Sequence, residues 1–78
     1  MKFEQGKQYR ATEDIHWGEI NDPENPYSIK TATLKKGAVV EFIMWTGGYS
    51  TIAWFRTVSQ GIDISFNTPR LSSKFEEI

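Results

Sequence analysis

The most restrictive feature of this sequence is a pair of glycines, Gly47 and Gly48, set between two runs of β-forming residues. The run before the pair reads AVVEFIMW (38–45), and the run after it reads YSTIAWFRTV (49–58). Both are rich in β-branched and aromatic residues, which favour strands. A Gly-Gly pair between two strands is typical of a tight turn, because both central positions of such a turn favour a positive φ. The sequence therefore predicts a β-hairpin.

A two-residue turn also sets the register of this hairpin and places Phe42 opposite Ala53. Side chains alternate between the two faces of a sheet, so one face is expected to form the core. The apolar set assigned to the core is Val40, Phe42, Met44, Ala53 and Phe55. The set assigned to the opposite, outer face is Val39, Glu41, Ile43, Trp45, Ser50, Ile52, Trp54 and Arg56.

Three other segments predict strands: KQYRATED (7–14), KTATL (30–34) and IDISF (62–66). Tyr9 and Ala11 share one side of the first, and apolar and polar residues alternate along the last. Between them, IHWGEINDPENPYSI (15–29) is rich in Asn, Pro and acidic residues, which are turn signals. It is predicted to be a long acidic loop after the first strand. The tail 70–78 is compatible with a short helix.

The chain has 78 residues and no cysteine, so we expect one domain (1–78) without a disulfide or a thiolate-bound metal. Three Trp, three Tyr and five Phe are the main material for a core. Five short strands cannot bury an apolar face as an open sheet. They are therefore predicted to close into a small, partly open barrel of the all-β class.

The charges are unevenly distributed although the net charge is only −1. Residues 1–27 hold three Lys or Arg against six Asp or Glu, whereas residues 28–74 hold six against two. The sequence thus predicts an acidic loop and a basic face. The small net charge gives no overall attraction for nucleic acid.

Signatures of catalysis or metal binding are lacking. The chain has one histidine, and it contains no HExxH, CxxC, phosphate-loop or Gly-x-Ser-x-Gly motif. His16 is close in sequence to Glu13, Asp14 and Glu19, but this spacing matches no common metal site, and an exposed loop histidine is expected. We predict no enzyme activity and no cofactor. The N-terminus lacks the apolar centre of a signal peptide and no apolar run reaches membrane-spanning length, which predicts a cytoplasmic protein.

The order of these parts resembles the Src homology 3 fold. Leu34-Lys35-Lys36-Gly37 is similar to the diverging turn of that family, and 38–43 to the alternating strand that follows it. Trp54-Phe55-Arg56 is similar to its tryptophan-bearing strand, and Gly61 to the glycine before its last strand. The resemblance covers about residues 7–72 and implies a small five-stranded barrel.

The segments that bind proline-rich peptides in that family are not matched. The first strand, YRATED, retains only Tyr9, and the later turn, FNTPRL, lacks the family's tyrosine. The chain is more similar to bacterial or phage-type members, which bind varied partners. For a stand-alone domain of this size, the resemblance implies a small phage-type accessory or inhibitor protein that binds a host protein.

Two hypotheses of function follow. The first is a protein–protein interaction module, because Trp, Tyr and Arg dominate interface energetics. Its predicted partner-binding residues are Glu13, Asp14, Trp17, Glu19, Trp45, Tyr49, Trp54 and Arg56. Trp17 has two open interpretations: it anchors the acidic loop on the barrel, or it faces the partner. The protein is expected to be a monomer or a weak homodimer.

The second hypothesis is a small barrel that binds single-stranded or duplex nucleic acid. Its phosphate-binding residues would be Lys30, Lys35, Lys36, Arg56, Arg70 and Lys74. Trp45, Tyr49 or Trp54 would stack on bases. The net charge and the acidic loop favour the first hypothesis.

Overall fold

The computed structural model describes residues 2–22, 25–49 and 51–78, including the side chains of all of these except 22 and 25–28. Its strands are β1 (Gln8–Ala11), β2 (Ile15–Asp22), β3 (Asn25–Leu34), β4 (Val39–Thr46), β5 (Ile52–Thr57), β6 (Asp63–Phe66) and β7 (Phe75–Glu77). A short 3-10 helix, Leu71–Lys74, precedes β7. The strands form one open antiparallel sheet in the order β3-β2-β6-β5-β4-β1-β7. The all-β class is confirmed, but the sheet has seven strands rather than the five predicted.

One additional strand comes from the segment predicted to be a long acidic loop, and that prediction is wrong. β2 and β3 pair as a hairpin, with Glu19 opposite Thr31 and Ile20 opposite Lys30. The turn signals at Asn21, Asp22 and Asn25 fall at the end of β2 and the start of β3 rather than in a loop of fifteen residues. Pro26 lies within β3, at the edge of the sheet, where the missing N–H of proline is tolerated.

The other additional strand is the end of the tail, a segment whose sequence is compatible with a short helix. Only Leu71–Lys74 are helical, and Phe75–Glu77 then pair with β1. Arg10 lies opposite Glu76, and its Nη1 is 3.1 Å from the Glu76 carboxylate. Phe75 is buried whereas Glu76 and Glu77 are exposed, so Phe75 is the residue of β7 that packs into the core.

The β4–β5 hairpin forms as predicted, but its register and loop differ. β4 ends at Thr46 and β5 begins at Ile52, so the connection is longer than the two residues predicted, and Phe42 lies opposite Phe55 instead of Ala53. A bulge at Ile43 then shifts the pairing by one residue, so that Met44 lies opposite Trp54. Since a one-residue shift exchanges the two faces of a strand, residues of β4 beyond the bulge point opposite to the prediction.

The core confirms the predicted inward set up to the bulge. Val40, Phe42, Ala53 and Phe55 are buried, whereas Met44 is 48% exposed. All five phenylalanines are buried. The complete set of buried apolar residues among those described is Phe3, Tyr9, Ala11, Ile15, Leu34, Val40, Phe42, Ala53, Phe55, Ile64, Phe66, Leu71 and Phe75.

Phe3, which the sequence analysis did not place, lies at the centre of this aromatic core. Its ring centroid is 5.0–5.5 Å from those of Tyr9, Phe42, Phe55 and Phe75. The backbone around it is fixed by hydrogen bonds, because the Glu4 N–H donates to the Tyr9 hydroxyl (2.8 Å). Residues before β1 therefore cover part of the core that the open sheet leaves uncovered.

No helix in the described parts of the chain has the length and apolarity needed to cross a membrane.

We expect Phe3→Ala to lower the free energy of unfolding by about 3–5 kcal/mol, because it leaves a cavity among four buried rings. A domain of this length has a total stability of roughly 4–12 kcal/mol, so this loss removes a large part of it. Tyr49→Ala is the matched control, since Tyr49 is 93% exposed and its loss should change stability by no more than about 0.5 kcal/mol. Urea denaturation of the three proteins measures the difference. Equal midpoints for Phe3→Ala and wild type would contradict the placement of Phe3.

Candidate functional site

The outer face of the sheet carries a row of side chains that crosses four strands. Glu19 of β2 lies opposite Ser65 of β6, Ser65 lies opposite Trp54 of β5, and Trp54 lies opposite Met44 of β4. Directly opposed residues point to the same side of a sheet. The row thus brings together Glu19 and Trp54, both predicted binding residues. Ser65 lies between them and is only 4% exposed.

Trp54 is the fixed centre of this surface. The indole is half-buried, and its Nε1–H donates a hydrogen bond to the Thr46 hydroxyl at 2.9 Å. Trp54 lines two grooves of about 300 and 540 Å³. The smaller groove is lined by Ile43, Met44, Thr46, Trp54 and Asp63, and the larger by Ile20, Asn21, Trp54, Gly61, Ile62 and Asp63. An oriented aromatic ring between two largely apolar hollows is a suitable anchor for a ligand.

Arg56 lies two residues from Trp54 on the same face and is held by Asp63. Its Nε is 2.8 Å from one oxygen of the Asp63 carboxylate, and its Nη2 is 3.3 Å from the other. The hydrogen bond that Arg56 donates to the Asp63 carboxylate, followed by the charges of Asp63 and Glu41, raises the pKa of Arg56. An exposed pair like this adds little stability, but its two-point contact fixes the orientation of the guanidinium. We call the surface formed by Glu19, Met44, Trp54, Arg56 and Asp63 the Trp54 face.

Trp45, predicted on the outer face, lies on the core side instead. The bulge at Ile43 reverses the alternation of β4 and places Trp45 opposite buried Ala53. Its ring centroid is 5.7 Å from that of Phe42 and 6.0 Å from that of Phe3, and 40% of the residue is exposed. Trp45 is therefore not part of the Trp54 face.

Tyr49, predicted to join the same binding surface, lies in the loop that connects β4 and β5 and is 93% exposed. No contact in the described part of the chain brings it to Trp54.

Two of the predicted acidic binding residues contact basic residues of the chain itself. Glu13 is 3.3 Å from the Lys74 ammonium group. Asp14 accepts a hydrogen bond from the backbone N–H of Lys36 at 2.8 Å, and its carboxylate is 3.9 Å from Lys35. This hydrogen bond, with a further contribution from the Lys35 charge, lowers the pKa of Asp14. Asp14 therefore stabilises the turn between β3 and β4.

Trp17 does not fold back on the core, so the anchoring interpretation is wrong. It is 77% exposed and has a left-handed backbone with φ 67°. The β2–β3 pairing is irregular between Ile15 and Gly18, and this bulge turns the indole away from the sheet. Trp17 borders a shallow groove of about 220 Å³, lined also by His16 and residues 31–33. This groove is separate from the Trp54 face.

His16 is exposed, as expected, although it lies in β2 rather than in a loop, and its Nδ1 forms a 3.0 Å hydrogen bond with the Thr33 hydroxyl. Within residues 2–22, 25–49 and 51–78, no three His, Cys, Asp or Glu side chains converge as metal ligands.

Sequence reasoning missed Met44, Ile62 and Asp63 as members of the site. Met44 was assigned to the core because nothing in the local sequence marks the bulge at Ile43. Asp63 could have been found from its charge, since the alternation of IDISF places it on the polar side of a strand next to Arg56.

Comparison of the chain with protein-family models, curated proteins and solved structures finds no match. The functional argument therefore depends on the geometry of the site.

We expect Trp17→Gly to leave stability unchanged or to raise it by up to about 1 kcal/mol. Glycine removes the left-handed strain, which offsets its entropic cost. Gly18→Ala provides the contrast, because an added Cβ would lie 2.5 Å from Ile64 Cδ1 and 2.9 Å from Phe66 Cε1. Such overpacking should cost about 1–3 kcal/mol. Thermal unfolding of both variants tests this, and a large loss for Trp17→Gly would show that the indole stabilises the fold.

We expect Asp14→Asn to lower the melting temperature near neutral pH and to have progressively less effect as the pH falls. Because the folded-state pKa of Asp14 is lowered, its stabilising contribution is present above its ordinary value of 3.8 and is lost as the pH falls through the lower folded value. Thermal unfolding between about pH 6 and pH 2 should show the wild-type and Asp14→Asn curves converging in acid. Glu19→Gln serves as the control for removing an exposed carboxylate. A pH-independent difference for Asp14→Asn would contradict this role.

Proposed function

We propose that this protein is a protein–protein interaction module and that the Trp54 face is its partner-binding surface. The observation that carries the proposal is the arrangement of Trp54 beside an exposed Met44 and an oriented Arg56. Trp, Met and Arg are enriched at protein interfaces, and Trp and Arg are prominent among their hot spots. Because the indole and the guanidinium are both held by hydrogen bonds, little side-chain freedom is lost when a partner binds. The proposed role is binding, without catalysis.

The charges of this surface favour a protein partner over a nucleic acid backbone. Glu41 and Asp63 lie on either side of Arg56 in the strand register, and Glu19 lies in the row that contains Trp54. A phosphate backbone would meet these carboxylates at close range. A protein surface of mixed charge can complement them, which would add specificity.

The basic side chains named as phosphate-binding residues give the nucleic-acid hypothesis little support, because three of them contact acidic side chains of the protein itself. Lys35, Arg56 and Lys74 are 3.9, 2.8 and 3.3 Å from carboxylates of the chain itself. Arg70 is the member of that set that shares a pocket with an exposed aromatic ring.

We further propose that the fold is related to the Src homology 3 class. Support comes from the turn at Leu34-Lys35-Lys36-Gly37, where the Ala38 N–H donates to the Lys35 carbonyl at 3.0 Å and Gly37 has φ 90°. The narrower proposal, a phage-type accessory or inhibitor protein that binds a host protein, rests on the sequence resemblance alone.

We expect Met44→Glu to abolish partner capture without unfolding the protein. Met44 is 48% exposed, so a carboxylate there remains hydrated, but in a complex it would be buried among apolar groups at high cost. Val58→Glu is the matched control, since Val58 is 52% exposed and lines neither groove beside Trp54.

Wild type and both variants would be immobilised and exposed to a bacterial lysate, with quantitative mass spectrometry of the captured proteins. The proposal expects a protein that wild type and Val58→Glu retain equally and that Met44→Glu loses by about tenfold or more, the equivalent of roughly 1.4 kcal/mol. Titration of that purified protein by calorimetry would then confirm direct binding. Identical captured sets for the three proteins would contradict the assignment of the Trp54 face.

A further inference from the structure

A second pocket, separate from the Trp54 face, opens on the core side of the sheet where Trp45 reaches solvent. It has a volume of about 300 Å³, at the lower end of the range typical of small-molecule sites. Its lining combines apolar, hydroxyl and basic side chains: Lys2, Phe3, Trp45, Thr68, Arg70, Leu71 and Ser72. The contacts of these residues indicate the class of ligand that the pocket fits.

The aromatic wall of this pocket is fixed and partly open. Trp45 packs at tilted angles of 49° against Phe3 and 56° against Phe42, so the core holds one part of the indole. Trp45 remains 40% exposed and is one of the residues that line the pocket. A fixed indole with accessible area is a stacking platform for a planar group.

The basic side chains of the pocket differ from most others in the chain. Lys7, Arg10, Lys35, Arg56 and Lys74 lie within 4 Å of carboxylates. Among the residues that the structure describes, Lys2 and Arg70 have no carboxylate within that distance. Both border the same cavity, so two cations lie beside Trp45 and neither forms a salt bridge within the described residues, although the charge of Lys2 also acts on Glu4.

Arg70 also has an unusual backbone. Its φ is 59° and its ψ is 32°, a left-handed conformation that non-glycine residues adopt at an energetic cost. Strained residues cluster at binding sites, where the strain places a side chain that a relaxed backbone would direct elsewhere. Here the strained residue is one of the two cations of the pocket.

We propose that this pocket binds a nucleoside phosphate, with the base stacked on Trp45 and the phosphate held by Arg70 and Lys2. The planar guanidinium of Arg70 suits phosphate oxygens, and the Lys2 ammonium adds a second positive charge. The hydroxyls of Thr68 and Ser72 supply neutral donors for the sugar or phosphate. An inorganic anion would leave the indole unused, and a neutral aromatic compound would leave the two cations unused. This site is independent of the proposed protein-binding surface.

The test is a titration of the ¹⁵N-labelled full chain with AMP, followed by NMR. The indole Nε1–H signals of the three tryptophans are assigned from single Trp→Phe variants. AMP should shift the Trp45 signal in a saturable manner and leave the Trp17 and Trp54 signals nearly unchanged. Absence of a Trp45 shift at millimolar AMP would overturn the proposal.

Charge-removing variants then test the phosphate contacts. Arg70→Gln and Lys2→Gln should each weaken AMP binding by about tenfold, the effect of losing one charge-assisted contact. Lys36→Gln removes the same charge at an exposed position outside the pocket and should bind AMP as wild type does. Each variant is first checked for an unchanged ¹⁵N spectrum away from the mutation. Equal weakening by Arg70→Gln and Lys36→Gln would show only a general charge effect and would overturn the assignment.

Titrations with other ligands test whether the base and the phosphate both contribute to binding. Adenosine and inorganic phosphate should each bind more weakly than AMP, and equal binding by either would contradict a site that recognises base and phosphate together. A short oligodeoxyadenylate distinguishes the sources of this chemistry. Binding tighter than that of AMP, with the same loss in Arg70→Gln, would assign the site to single-stranded nucleic acid. Binding no tighter than that of AMP would assign it to a free nucleotide.

Discussion

The packing of Phe3 against Phe42, Phe55 and Phe75 is the interaction on which the rest of the structure depends. These four rings come from the N-terminal segment, the central hairpin and the last strand, and the centroids of the other three lie 5.2–5.5 Å from that of Phe3. An open sheet of seven strands needs its core face covered, and here the chain ends supply the cover. The chain has no disulfide, and this aromatic contact joins its two ends together with the pairing of β1 and β7.

The aromatic residues are divided by type between core and surface. All five phenylalanines are buried, whereas Trp17 is 77% exposed, Trp45 is 40% exposed and Trp54 is half-buried. A phenyl ring has no polar atom to satisfy, while an indole N–H needs a partner or water when it is buried. Keeping the indoles at the surface avoids that cost in a small core. The three tryptophans therefore keep part of their surface accessible at three different places on the protein.

The sequence predicted the fold class and most of the inward residues where alternation is uninterrupted. Val40, Phe42, Ala53 and Phe55 were placed correctly because an error of two residues in register preserves the face. The predictions failed at the two bulges, near Ile43 and beside Trp17, because a bulge depends on packing from distant strands. Gly18, for example, fits directly against Ile64 and Phe66 of β6, a contact that no local pattern reveals. The candidate sites depend on these bulges, so they could be only partly predicted.

The two edge strands of the sheet, β3 and β7, carry features that disfavour pairing with a strand of another protein. β7 is three residues long and carries Glu76 and Glu77, while the long edge strand β3 contains Pro26 and Lys30. Short length, charge and proline are the features by which natural sheets discourage the addition of another strand. Strand addition is therefore disfavoured at both edges. The outer face carries no such protection around Met44 and Trp54, where apolar grooves lie open beside a fixed indole. A partner of the proposed Trp54 face would therefore dock against the face of the sheet rather than extend it.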